Sequence, residues 1–418
     1  MRVQLPYGER MIDAEVPGSA VVLEPAAVDP LPDPQGAVRS AIEAPIGCAP
    51  LSRVARAGQR ACIVVSDVTR PVPNATILPP VLETLERAGV HRDDITILIG
   101  TGLHRASRDD ERRRILGDAA AGRYRVLDHD ARDEASLAPL PGGGGVRLNR
   151  AYLDAELRIV TGFVEPHLFA GYSGGGKGVL PGIASAADIM RNHDARMIGH
   201  PKATWCVTEG NPIFEQMRDA GAITSPALTI NVTLDTQKRI TGVFAGEMVQ
   251  AHEAAIAQAA RQYVRPIPHL FDIVVATNMG YPADLNLYQS VKGMSVAAQA
   301  CAPGGSIVLV AECREGLGGP EYAELMRSER SPRALLDRLG ADGHETVHDQ
   351  WQVQVQAMVQ ARCDVWLHSS LDRETVESAH LRYAADISET VAALLGERGT
   401  GATVCVLPWG QLTVPVVA

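Results

Sequence analysis

Leu157-Arg158-Ile159-Val160-Thr161-Gly162-Phe163-Val164 passes directly into Glu165-Pro166-His167-Leu168-Phe169-Ala170-Gly171-Tyr172-Ser173-Gly174-Gly175-Gly176-Lys177-Gly178-Val179-Leu180-Pro181-Gly182. The first part is a short apolar run of the kind buried in a parallel sheet. The second packs a histidine, a three-glycine run and a lysine into one loop. Glycines let backbone N–H groups come close to an anion because no Cβ intervenes. Lys177 adds a mobile positive charge or an amine nucleophile. A helix is predicted from Ser185 to Met197, with Ser185 as its N-cap. Gly171 to Lys177 fits G-x-x-x-x-G-K, but Gly178 stands where a magnesium-binding Ser or Thr belongs. Pro181 falls where the phosphate-binding helix would begin, and proline breaks a helix interior. The loop therefore reads as an anion cradle with a reactive lysine. A nucleoside triphosphatase loop and a plain surface loop are the weaker readings.

Two similar units precede this one. Ala61 to Ser66 is an apolar run ending in Asp67-Val68-Thr69-Arg70-Pro71, and Ile95 to Ile99 ends in Gly100-Thr101-Gly102-Leu103-His104-Arg105. Ligands of open α/β sheets collect at the carboxyl ends of the strands. That geometry brings Asp67, Arg70, His104, His167 and Lys177 onto one rim. After Arg265-Pro266-Ile267-Pro268, which reads as a linker, the strand and helix pattern restarts at Phe271. The expected fold is two α/β domains with mostly parallel sheets and an active site in the cleft between them. Residues 1–264 form the first domain, rejoined by 398–418, and residues 268–397 form the second.

Composition narrows the function. The 418 residues are 46% hydrophobic and 21% charged, with a formal net charge of −10. No basic cluster is interleaved with aromatics, so nucleic acid is not an expected partner. No apolar run reaches the roughly 18 residues that span a bilayer, and Met1 to Val16 has no signal-peptide core. The seven cysteines are scattered without a C-x-x-C pair, which points to free thiols in a reducing cytoplasm.

Among the twelve histidines, His104 and His167 follow strands at the rim, and His193 lies on the helix after the glycine loop. With Lys177 they suggest two proton handlers and one metal ligand, although no H-e-x-x-H zinc spacing is present. His252 sits in a helical context without companions. Arg70 has the fork that suits a carboxylate. Tyr288 and Lys292 stand at i and i+4, hence on one helix face.

Taken together, the motifs resemble those of the nickel-dependent lactate racemases, 2-hydroxyacid racemases and epimerases that use a nickel-pincer nucleotide. The resemblance rests on Asp67-Val68-Thr69-Arg70-Pro71, Gly100 to Arg105, Glu165-Pro166-His167 with Lys177 ten residues on, Asn192-His193, Tyr288-Gln289-Ser290-Val291-Lys292, and Trp351. These span most of the chain in the family's order. One departure is plain: the family's loop often has Arg before the lysine and Ser after it, where this chain has Gly176 and Gly178.

The resemblance implies a role for each position. Lys177 would carry the cofactor covalently and His193 would ligate its nickel. Asp67, Thr69, Gly174, Gly175 and Gly176 would contact the cofactor. His104 and His167 would be the acid and base. Arg70, Tyr288, Gln289, Lys292 and Trp351 would bind the substrate, a small 2-hydroxy acid such as lactate. A larger sugar acid or a malate-like dicarboxylate is the alternative, and a nucleotide-binding protein that uses only the glycine loop is a more distant one. Cofactor-maturation enzymes are the implied partners, and protein made without them is expected to lack the cofactor.

Overall fold

The computed structural model describes residues 1–118, 120–399 and 401–418. Its frame is two six-stranded sheets. The first has the spatial order Ile240–Gly246, Leu228–Leu234, Leu157–Phe163, Ala61–Ser66, Ile95–Gly100, Arg125–Asp128. Only its Leu228–Leu234 and Ile240–Gly246 pair is antiparallel; the other neighbours are parallel. The second runs Arg382–Tyr383, Asp364–His368, Cys301–Val310, Phe271–Thr277, Val404–Leu407, Val21–Val22, parallel throughout.

Side-chain alternation explains why the strands are apolar without a break. In Ala61–Ser66, Ile63 and Val65 enter one core cluster while Cys62 and Val64 enter another. Each face is covered, so each residue must be apolar. The cluster holding Cys62 and Val64 also includes Val274 and Ala276 of the second sheet. A continuous apolar core thus joins the two units behind the cleft.

The strands divide the chain differently from the sequence-based boundaries. The hairpin Arg2–Tyr7 and Arg10–Glu15 packs Val3, Leu5 and Tyr7 against Ile273, Val275, Val308 and Val310 of the second sheet. The Gly8 N–H also donates to the Asp284 carboxylate at 2.7 Å. Val404–Leu407 is wholly buried and lies between Phe271–Thr277 and Val21–Val22, instead of returning to the first sheet. An all-apolar strand needs a neighbour on each side and cover on each face, and the second sheet supplies both. Val264–Ile267, read as a linker, is itself a strand paired with Val414–Val417.

The helix expected over Ser185 to Met197 is two helices. Ser185 does cap the first, Ala186–Asn192, by accepting from the Asp188 N–H. That helix stops at His193, and Asp194 caps a second one, Ala195–Ile198. No helix among the described residues is long and apolar enough to cross a membrane.

Candidate active site

The carboxyl ends of Ala61–Ser66, Ile95–Gly100 and Leu157–Phe163 open into one cavity. Its walls include Asp67, Arg70, His104, His167, Lys177 and His193 from the first unit and Tyr288, His348, Asp349 and Trp351 from the second.

At the end of the first strand Asp67 is buried, and both its carboxylate oxygens are engaged. One faces His104 Nδ1 at 2.8 Å, and the other accepts from the Thr69 hydroxyl at 2.7 Å. Burial disfavours its charge, but the hydrogen bonds from His104 and Thr69 and the nearby Arg70 outweigh that, so its pKa falls below the ordinary value. His104 itself is about half exposed to the cleft.

His167 is in the opposite environment. It is buried, and its Nδ1 accepts from the Ala170 N–H at 3.3 Å. Burial, then Lys177, Arg70, Lys292 and His193, push its pKa well below normal. The ring is therefore neutral, and its proton sits on Nε2.

Lys177 lies on a short 3₁₀ turn, Gly175–Gly178. Desolvation, Arg70 and Lys292 drive its pKa well below that of a free lysine, opposed only by Glu165. The burial and the two cations favour the uncharged amine, the form that acts as a nucleophile. No phosphate-binding helix follows it, because the next helix begins at Ala186.

The turn's glycines have packing reasons. Gly175 adopts φ +51°, and a Cβ there would meet His252 Nδ1 at 2.2 Å. A Cβ on Gly176 would lie 2.1 Å from the Met217 carbonyl oxygen of the helix Pro212–Ile223. That close approach accounts for the absence of a larger residue before Lys177. The cavity wall here is Gly174, Lys177 and Gly178, while Gly175 and Gly176 lie behind it. Thr69 meets the site only through Asp67.

His193 terminates its helix with Nδ1 donating to the Ile189 carbonyl at 3.1 Å, which leaves Nε2 as a free lone pair. Burial, then Lys177, lower its pKa to about 3. Phe169 and Trp351 hold the ring edge-on, with centroids 5.1 and 5.2 Å away. A neutral, clamped imidazole with one nitrogen free suits a soft or borderline divalent metal such as nickel.

The second unit contributes the helix Leu287–Ala300, capped by Asn286, which accepts from the Gln289 N–H. Lys292 Nζ donates to the Gln289 side chain at 2.9 Å. Burial and Arg70 lower the Lys292 pKa to about 8. Neither Gln289 nor Lys292 is part of the cavity wall; Lys292 lies near enough for its charge to lower the pKa of His167 and Lys177. Trp351 Nε1 donates to the Tyr288 hydroxyl at 3.3 Å. Among the described residues, Arg70 and Lys177 form no ion pair, although Asp67 and Asp349 also line the cavity.

Sequence reasoning missed residues that hold the loop from below. Asn231 accepts from the Gly175 N–H at 2.9 Å, and His252 Nε2 bonds the Ser173 carbonyl at 2.8 Å. His252 is fully buried rather than a solitary helix residue. Asn231 had a visible signal as a polar residue inside Leu-Thr-Ile-Asn-Val-Thr-Leu. His252 had none, since its partner is a backbone carbonyl 79 residues away.

The family model for the lactate racemase N-terminal domain matches residues 7–206, and that for the lactate racemase C-terminal domain matches residues 268–416. The chain is 34% identical to the lactate racemase of Lactiplantibacillus plantarum over 98% of both proteins. It is 32% identical to that of Thermoanaerobacterium thermosaccharolyticum, over 94% of this chain and 92% of the relative. The structure of the latter's apoprotein superposes with a TM-score of 0.89 at 30% identity, covering 99% of this chain and 100% of that one. A Thermotoga maritima protein shares the fold, with a TM-score of 0.66 at 17% identity over 94% of this chain and all of its own.

Proposed function

The chain belongs to the lactate racemase family, and from that premise we propose that it interconverts the enantiomers of lactate with a nickel-pincer nucleotide held in the cleft. The observation that carries the reading is the convergence on one cavity of two histidines, a buried lysine amine, and a third histidine with a free Nε2.

These residues fit the cofactor. Lys177 presents a buried amine whose neutral, nucleophilic form the surroundings favour, and His193 presents one imidazole nitrogen from a rigid aromatic clamp. When bound, the cofactor supplies an acceptor that takes the hydride from C2 of the acid and gives it back. The rest is done by the chain. Arg70 and Lys292 attract the carboxylate, one as a fork and one as a point charge. As C2 loses its hydride, one of His104 and His167 takes the hydroxyl proton, leaving a 2-keto acid. When the hydride returns to the other face, the second histidine gives a proton to the oxygen. Two proton handlers are needed because the two enantiomers present the hydroxyl in different directions. Tyr288 and Trp351 close the cavity from the second unit.

The test is protein co-expressed with cofactor-maturation enzymes, assayed on enantiopure lactate, a sugar acid and malate. The expected result is racemisation of lactate and an intact mass showing an adduct that Lys177→Ala lacks while staying folded. Inversion of only the larger acids would move the substrate assignment. An adduct retained in Lys177→Ala would overturn the covalent role.

A further inference from the structure

The resemblance assigns Asp67 and Thr69 to the cofactor, but their side chains are committed elsewhere. Asp67 spends one oxygen on His104 Nδ1 and the other on the Thr69 hydroxyl, at 2.8 and 2.7 Å. Asp67 is only 6% exposed, and among the described residues it is the one carboxylate paired with His104, His167 or His193, while the cavity's fourth histidine, His348, pairs with Asp349 at 3.4 Å. We propose that Asp67, anchored by Thr69, is a positioning residue that fixes the tautomer and aim of His104 and not a ligand of the cofactor.

An ionised carboxylate only accepts hydrogen bonds, so the His104 nitrogen facing it must carry the proton. In the neutral ring Nε2 is then the nitrogen with the lone pair, the form a base needs. The same logic holds wherever a buried carboxylate orients a catalytic imidazole, and there removing the charge leaves the wrong tautomer. Thr69 matters because a carboxylate on a turn can rotate about χ2. A second bond on its far oxygen holds the near one on His104. His104 needs this support more than His167 or His193 does, since its side chain is about half exposed while those two are buried.

This inference rests on His104 being one of the proton handlers, and the test separates the two ideas. Full-length protein without cofactor, labelled with ¹⁵N-histidine, gives the tautomer of neutral His104 from long-range ¹H–¹⁵N correlations, with His104→Gln identifying the signals. Wild type should show the proton on Nδ1. Asp67→Ala should move it mainly to Nε2, the form an unpartnered imidazole favours in water, and Thr69→Val should produce a smaller shift. In cofactor-loaded protein, Asp67→Ala should keep the Lys177 adduct mass and change KM little. Its turnover should fall on the order of 10²- to 10⁴-fold. If the alanine variant does not fold, Asp67→Asn keeps the shape and carries the same adduct and turnover predictions. Wild-type His104 with its proton on Nε2 would overturn the proposal, as would loss of the adduct in an Asp67 variant. A switched tautomer with undiminished turnover would show that Asp67 does set the tautomer but that His104 is not a proton handler, overturning that part of the proposed function.

Discussion

His104 and His167 line the same cavity on loops that follow Ile95–Gly100 and Leu157–Phe163, the strands on either side of Ala61–Ser66, yet their surroundings are opposed. His104 is half open to the cleft and paired with a carboxylate. His167 is buried, has no carboxylate partner among the described residues, and feels Lys177, Arg70, Lys292 and His193 electrostatically. His104 turns Nδ1 to Asp67, whereas His167 accepts at Nδ1 from the Ala170 N–H and so presents an N–H from Nε2. A racemase must nevertheless serve both enantiomers. For His167 to take a proton at Nε2, the 3.3 Å contact from the Ala170 N–H to Nδ1 has to give way. On the proposed mechanism, a symmetric reaction would rest on an asymmetric pair, one histidine held by a carboxylate and one tuned by desolvation and cations.

The sharpest attack on that comparison removes each ring in turn. His104→Ala and His167→Ala should each lower turnover on the order of 10²- to 10⁴-fold. Because lactate enantiomers have equal free energy, kcat/KM must fall by the same factor in both directions for each variant. Differences between the histidines can appear only in how the loss divides between kcat and KM. Progress curves from both pure enantiomers measure this, and near-normal rates in either variant would take that residue out of the mechanism.

A smaller effect is expected at Arg70, whose charge acts on both sides, on Asp67 and on His167. Arg70→Lys keeps the charge and loses the fork. A charge-assisted hydrogen bond contributes roughly 1.5–3 kcal/mol, so affinity for 2-hydroxy acids should weaken by about 10- to 150-fold. The comparison is with the matching uncharged alcohols, and an equal loss for both would show that Arg70 does not read the carboxylate.

The smallest effect is a pH dependence confined to the His167 side. Lys292 has a pKa lowered to about 8 by burial and Arg70. Binding a carboxylate favours its charged form, so affinity is fully present below about 8 and declines as pH rises through that value. Lys292→Arg should flatten this limb, since arginine stays charged. Titration of a 2-hydroxy acid against pH with both proteins reads the difference.

Much of this was legible in the sequence. Apolar runs such as Ala61–Ser66 and Leu157–Phe163, each ending in a polar turn, located the parallel sheet and the rim that gathers Asp67, His104, His167 and Lys177. Such strands carry their signal locally, because burial on both faces forces every residue to be apolar. What escaped were features decided by distant partners. The placement of Val404–Leu407 depends on Phe271–Thr277 and Val21–Val22, far away in the chain. The bond that turns Asp67 to His104 spans 37 residues. The crowding that requires Gly176 comes from Met217. No periodicity in one segment encodes what another segment brings to it.

The most direct measurement of the central claim follows the hydrogen at C2. Cofactor-loaded protein is given one enantiomer of lactate deuterated at C2, in ordinary water, and the enantiomer formed is isolated early in the reaction. With hydride removal and return inside the cleft, while His104 and His167 handle only the hydroxyl proton, the new enantiomer keeps its deuterium. Replacement of that deuterium by solvent hydrogen at the rate of racemisation would mean that a side-chain base takes C2–H as a proton, and would contradict the account.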